Sequence, residues 1–313
     1  MGTILACRCE SMPYGNPTET PMTLRPRRSA LYMPGSNPRA LEKAKRLAAD
    51  ILILDLEDSV APEAKQTARA QVVQTVRAGG FGDREILIRI NALETPWGAD
   101  DLVAALTAGA DAVLVPKVSA PDDLQRLARR FDQLAAGERI GIWAMMETPR
   151  GILEAGAIAA AATDPRTRLA GLVMGTNDLS KETRARIVPG RAPMRSWLMT
   201  CVAAARSYGL DILDGVYNDI GDAEGFEREC MEARDWGFDG KTLIHPSQID
   251  PCNRIFSPTP AELDEARTIL AAFALPENRG KGVIKVDGRM VERLHAEIAR
   301  RIVAVADASL KDA

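Results

Sequence analysis

From Ser29 onward, short apolar, β-prone runs alternate with longer stretches in which Ala, Leu, Glu and Arg recur at helical spacing. The apolar runs predict strands near residues 30–33, 51–54, 85–90, 112–115, 140–146, 169–174, 211–213 and 241–244. Helices are predicted over 38–49, 62–78 and 121–136, and around Leu102 and Leu106. The strands are apolar at almost every position rather than every second one, as expected where both faces of a parallel sheet are covered. Eight such strand–helix units favour a closed TIM (β/α)8 barrel over an open sheet. The barrel is assigned to residues 27–257 and a C-terminal helical extension to 258–313. Residues 1–26 carry Pro, Thr, Asn, Gly and Ser without periodicity and read as a disordered or loosely attached arm.

Polar residues gather where the strands end, which is where such barrels carry their catalytic groups. Asp55, Glu57 and Asp58 follow the second strand, Arg89-Ile90-Asn91 ends the third, and Pro116-Lys117 follows the fourth. Glu147 closes the fifth, Gly175-Thr176-Asn177-Asp178 follows the sixth, Asp214-Gly215 the seventh and His245-Pro246 the eighth. The opposite strand ends carry mostly Gly, Ala and Asp turns. Glu147 is the most informative of these residues, because an ionised acid at the end of a buried apolar run is costly to desolvate without a partner. Glu147 and Asp178 lie on neighbouring strand ends and suit a divalent cation. Magnesium takes one or two carboxylates and keeps positions for water and substrate oxygens. With no His or Cys cluster beside them, zinc is disfavoured. Asp178 alone equally suits a helix cap, a role to which Glu147 is poorly fitted. Lys117 reads either as support for Glu147 or as a Schiff-base lysine.

Bulk composition excludes some classes. A hydrophobic content of 46% over 313 residues supports a sizeable core. A formal charge of -3, with basic and acidic residues mixed, argues against nucleic acid as a partner. No apolar run approaches a membrane span. Cys7, Cys9, Cys201, Cys230 and Cys252 form an odd, scattered set, as expected for a reduced cytoplasmic protein.

The residues at the strand ends carry a resemblance. Arg28-Ser29-Ala30-Leu31-Tyr32-Met33-Pro34-Gly35, Asp55-Leu56-Glu57-Asp58-Ser59-Val60, Arg89-Ile90-Asn91, Pro116-Lys117, Glu147-Thr148, Asp214-Gly215-Val216 and Gly240-Lys241-Thr242-Leu243-Ile244-His245-Pro246 occur in consistent order. Together they resemble the CoA-ester lyases, the citrate lyase beta-subunit and malyl-CoA lyase group of the HpcH/HpaI aldolase superfamily. The resemblance implies a TIM barrel, dependence on magnesium (with manganese as the alternative), and trimeric or hexameric assembly. It also implies carbon–carbon cleavage of a 3-hydroxyacyl-CoA to acetyl-CoA or propionyl-CoA and a 2-oxo acid. Malyl-CoA, β-methylmalyl-CoA, citramalyl-CoA and citryl-CoA are the candidate substrates. Hydrolysis of malyl-CoA, or action as a citrate lyase beta subunit on a carrier-protein thioester, are the alternatives.

Carried over position by position, the resemblance makes Glu147 and Asp178 the metal ligands. It places Arg89 at the thioester carbonyl, where it stabilises the charge of an enolate. Tyr32 and Lys43 match contacts to CoA, and the backbone around Met146, Asn177, Gly215 and Val216 matches the lining of the small-acid pocket. Asp55, Glu57, Asp58 and Lys117 take supporting roles. Glu292 stands where malyl-CoA lyases bring an aspartate from the neighbouring subunit as general acid/base, one methylene longer here. Gly175-Thr176-Asn177-Asp178 also differs from those lyases, implying an altered small-acid pocket.

Overall fold

Eight strands pair in chain order, all parallel, and the last returns to the first to close a barrel. They are β1 (Ser29–Pro34), β2 (Ile51–Asp55), β3 (Glu85–Arg89), β4 (Ala112–Val115), β5 (Gly141–Met146), β6 (Leu169–Met174), β7 (Asp211–Asp214) and β8 (Gly240–Leu243). The helices beside them are α1 (Pro38–Ala44), α2 (Lys65–Ala78), α3 (Gly98–Ala108), α4 (Pro121–Gln133), α5 (Pro149–Leu153), α6 (Ala155–Ala160), α7 (Thr176–Thr183), α8 (Arg195–Ser207), α9 (Ala223–Asp235) and α10 (Ile249–Phe256). The computed structural model describes residues 25–134, 137 and 140–311. Apart from residues 25 and 26, the expected N-terminal arm lies outside the described residues, with Cys7 and Cys9. Contacts divide the described residues into a unit spanning Pro26–Pro258 and another that includes 259–311.

The near-continuous apolar strands serve two cores. Ile51, Ile53, Leu87, Leu114, Trp143, Met145, Val173 and Leu213 fill the barrel interior, while alternate residues such as Leu52, Leu54, Ile88 and Val113 pack outward against the helices. Trp143 fits inside because its neighbour on β6 is glycine. A Cβ on Gly171 would lie 2.5 Å from the indole ring. The β5–β6 register shifts at the same point, between Ile142 and Trp143. The amino end of the barrel is more polar than its turns predict. Arg27 pairs with Glu85 at the start of β3 and with Asp211 at the start of β7, and its guanidinium lies 5.1 Å from the Trp143 ring centroid.

Three helices are shorter than their periodicity predicts, α4 ending at Gln133 rather than 136. Helix α1 starts where the Asn37 side chain accepts the Ala40 N–H, yet ends at Ala44 rather than 49. Arg46 and Leu47 close tighter turns onto Lys43 and Ala44, returning the chain to β2. The stretch 62–78 is a 3-10 turn over Pro62–Ala64 followed by α2, stopped by Gly79 at φ 66. The C-terminal unit is not purely helical. Between α11 (Pro260–Ala274) and α12 (Arg293–Lys311) lies an antiparallel hairpin of β9 (Val283–Val286) and β10 (Arg289–Glu292). Its turn, Asp287-Gly288, has φ values of 47 and 83, the left-handed pair that a two-residue hairpin needs.

The Trp143–Gly171 contact makes a stability prediction. Gly171→Ala should destabilise the protein by about 1–3 kcal/mol through overpacking. Chemical denaturation checks this, and an unchanged midpoint would mean that the inner layer can yield.

Candidate active site

The alternation that fills the barrel also builds its mouth. On β2 the inward residues run Ile51, Ile53, then Asp55; on β3, Leu87 is followed by Arg89; on β5, Trp143 and Met145 are followed by Glu147. Tyr32, two residues beyond Ala30, packs on the same inner cluster. Gly175 and Gly215 continue the inward phase of β6 and β7. Thus Tyr32, Asp55, Arg89 and Glu147 form one layer above the apolar ones.

Arg89 and three acids make one half of this layer. Its Nε and Nη2 each donate to Asp55, both at 2.7 Å, in a bidentate pair. Nη1 lies 3.0 Å from Glu57 Oε2 and donates a long 3.5 Å bond to Asp58. The Tyr32 ring sits under the guanidinium at 4.7 Å. Burial opposes the charge on Asp55, but Arg89 outweighs it and holds the carboxyl below its usual range. Glu57 goes the other way. Burial pushes it up to about 8 against the pull of Arg89, with the field of Glu147 adding to the rise. Its buried Oε2 forms no hydrogen bond among the described residues and meets Arg89 Nη1 only as an ion pair. Arg89 is therefore anchored to Asp55 through two nitrogens, while the third, Nη1, faces Glu57 and Asp58.

Glu147 and Asp178 make the other half, joined by Lys117. The Lys117 N–H donates to Glu147 Oε1 at 2.8 Å, and its ammonium donates to Asp178 Oδ1 at 2.7 Å. Asp178 is the third residue of α7 and does not cap it, so the capping alternative is not what the structure shows. Burial, then the field of Asp178, raises Glu147 to about 7, only partly offset by the Lys117 N–H. Burial opposes the charge on Lys117, but its bond to Asp178 and the field of Glu147 prevail and raise its pKa, which makes it a poor amine nucleophile. A Cβ on Gly175 would collide with Glu147 Cβ and Oε2, so glycine there leaves the carboxylate its room. Among the described residues no group of three or more His, Cys, Asp and Glu side chains is arranged to hold a metal. Two carboxylates, one of them a buried acid lacking a full counter-charge, instead fit magnesium, which completes its shell with water and substrate oxygens.

The remaining predicted positions are dispersed. Met146 turns its side chain into the outer core, and its carbonyl accepts the Gly175 N–H. The exposed Asn177 exchanges amide hydrogen bonds with Asn218. Gly215 is buried where a Cβ would lie 2.6 Å from Thr176 Oγ1. Val216 borders a cavity of about 220 Å³ with Thr176, Arg191 and Tyr217. Lys43 is exposed on α1. Glu292 belongs to the C-terminal unit, where it ends β10, exposed, with its N–H donating to His295 Nδ1.

Residues 28–246 match the model of the HpcH/HpaI aldolase/citrate lyase family. The chain belongs to this family. It is 49% identical over 283 residues to a (3S)-malyl-CoA thioesterase of Cereibacter sphaeroides, covering 90% of this chain and 95% of the relative. It is 34% identical over 290 residues to the citrate lyase subunit beta of Escherichia coli, covering 91% and 95%. Among solved structures it is similar to Mycobacterium tuberculosis CitE in complex with magnesium, acetoacetate and coenzyme A, at 31% identity and a TM-score of 0.72, covering 91% of this chain and all of that one.

Two networks that sequence reasoning missed support this family's barrel mouth. Lys65 donates to the carbonyls of Leu56 and Glu57 and to Asn91 Oδ1, pinning the loop that carries Glu57. Asp214 accepts from Arg191 and from Lys241, which also reaches Glu229, fixing the end of β7. The one available signal was a lysine inside the strand Gly240–Leu243, which demands a buried partner.

The raised acids make stability depend on pH. Glu57 and Glu147 ionise near 4.5 when unfolded but near 8 and 7 when folded, so their neutral forms favour the fold at low pH. That contribution is lost as pH rises through 7 to 8. In chelator-treated protein, Glu57→Gln should flatten the fall in stability between about pH 5 and 9 by on the order of 2 kcal/mol. Urea denaturation measures it, and parallel curves for wild type and variant would count against a neutral Glu57.

Proposed function

We propose that this protein is a magnesium-dependent enzyme that hydrolyses a malyl-type 3-hydroxyacyl-CoA to free CoA and the hydroxy acid. The observation that carries the reading is the Glu147–Asp178 pair, joined by Lys117 and lying in the field of Arg89, in a chain 49% identical to a malyl-CoA thioesterase along nearly its whole length. Glu147 and Asp178 would hold the cation. Bound there, it would chelate and polarise the oxygens of the acid end of the substrate. Arg89 receives the negative charge that develops on the thioester oxygen, using Nη1 while Asp55 holds the rest of the group still. Tyr32 packs against that guanidinium, and Lys43 is assigned to the CoA phosphates. In hydrolysis, water adds to the thioester carbon, the carbon–sulfur bond breaks, and the thiolate takes a proton. Glu292, supplied by a neighbouring copy in a trimer or hexamer, is the proposed acid/base.

A second reading is carbon–carbon cleavage, favoured by the 34% identity to citrate lyase subunit beta. There, Glu292 takes the 3-hydroxyl proton, and the enolate places its charge on the same thioester oxygen. Arg89 serves both reactions, so its geometry does not choose between them.

Products choose. With malyl-CoA, β-methylmalyl-CoA, citramalyl-CoA and citryl-CoA supplied in turn, free thiol and 2-oxo acid are followed separately, with and without Mg²⁺. Hydrolysis gives Mg²⁺-dependent thiol release without oxo acid, reduced by about 100-fold or more in Glu147→Ala. Oxo acid without thiol would establish cleavage. Turnover seen only on a carrier-protein thioester would assign the chain to a complex instead.

A further inference from the structure

Lys117 touches both proposed metal ligands, and in different ways. Its backbone N–H anchors one oxygen of Glu147 and its ammonium anchors one oxygen of Asp178, leaving Glu147 Oε2 and Asp178 Oδ2 uncommitted to it. The backbone conformation that aims the N–H is unusual: φ is 56, a left-handed value that a lysine rarely adopts. Neighbouring bonds hold it there. Ser119 Oγ donates to the Lys117 carbonyl at 3.0 Å and bonds Thr148 Oγ1 at 2.8 Å, and Thr148, next to Glu147, caps α5. The ends of β4 and β5 are thus tied together around the lysine, as expected where strain is maintained by its surroundings.

The ammonium also changes the charge balance. At the cation position itself two carboxylates cancel a divalent cation, while Asp55, Glu57 and Asp58 gather on Arg89 rather than on this pair. Lys117 is then the one cation paired directly with a proposed metal ligand among the described residues, exposed beside Asp178. We propose that Lys117 sets both the geometry and the net charge of the metal centre: it fixes one oxygen of each ligand, weakens cation binding by repulsion, and leaves a positive site for the substrate carboxylate. In the absence of the cation, the same ammonium stands in as the counter-charge between the two acids. The proposal rests on Glu147 and Asp178 being the metal ligands, but not on whether the enzyme hydrolyses or cleaves its substrate.

The test separates the backbone contribution from the charge. Lys117→Met keeps the N–H and removes the ammonium, whereas Lys117→Arg keeps the charge. Metal-free proteins are titrated calorimetrically with MgCl2 at about pH 9, above the range in which Glu147 titrates. Lys117→Met should bind Mg²⁺ about tenfold more tightly than wild type, since a like charge has been removed. Lys117→Arg should stay near wild type, and the difference should shrink in about 0.5 M KCl. Without metal, Lys117→Met should melt at a lower temperature than wild type and gain more from saturating Mg²⁺. With substrate it should show a higher KM at a largely retained kcat. Equal or weaker Mg²⁺ binding by Lys117→Met would overturn the proposal while leaving the metal ligands in place. No binding by any of the three proteins would overturn the metal reading itself.

Discussion

A closed barrel admits side chains to its interior only from every second strand position. The inner layers of this protein, from Ala30 to Leu213, obey that constraint, and the mouth inherits it. Asp55, Arg89 and Glu147 reach a common layer because each lies in phase with an inward apolar residue two positions earlier, Ile53, Leu87 and Met145 respectively. A slip of one residue in β2, β3 or β5 would turn the acid or the guanidinium outward into the helices. The inner core is thus the ruler by which the site is measured, and a tight contact such as Trp143 against Gly171 bears on chemistry several residues away.

The electrostatics of the mouth divide into two unequal halves. Arg89 and Asp55 satisfy each other in bidentate geometry and hold their charges. Glu147 and Asp178 are two acids with one shared ammonium, and Glu57 adds a buried oxygen without a hydrogen bond. Burial and like-charge proximity raise Glu57 and Glu147, and a cation would relieve them. The protein accepts this unfavourable arrangement because Lys65 and Lys117 pin the loops that carry it.

Much of this was legible in the chain. The eight strands stood out because parallel strands are apolar on both faces, and the polar residues after them marked one rim. What escaped notice is what depends on the fold closing up. Arg27, at the start of the barrel, carries no local sign of its partners until the barrel brings Glu85 and Asp211 to it. Arg191 gains meaning only beside Asp214, and Lys65 only beneath Glu57. The hairpin of the C-terminal unit is a different case. Asp287-Gly288 between Val-rich runs is a local signal for a two-residue turn, outweighed in the reading by the helical stretches on either side. The early end of α1 shows the reverse, a helical periodicity overruled by the need to enter β2.

Trp143 also gives the molecule an optical identity. Of the four tryptophans, Trp97, Trp197 and Trp236 are only partly buried, whereas Trp143 is fully enclosed and its Nε1 has no acceptor among the described residues. An indole in so dry a setting emits at the blue edge of the tryptophan spectrum, and the guanidinium above its face is an intimate electronic neighbour. Emission from the barrel interior is therefore spectrally separable from that of the outer helices. The innermost layer of the protein carries its own colour.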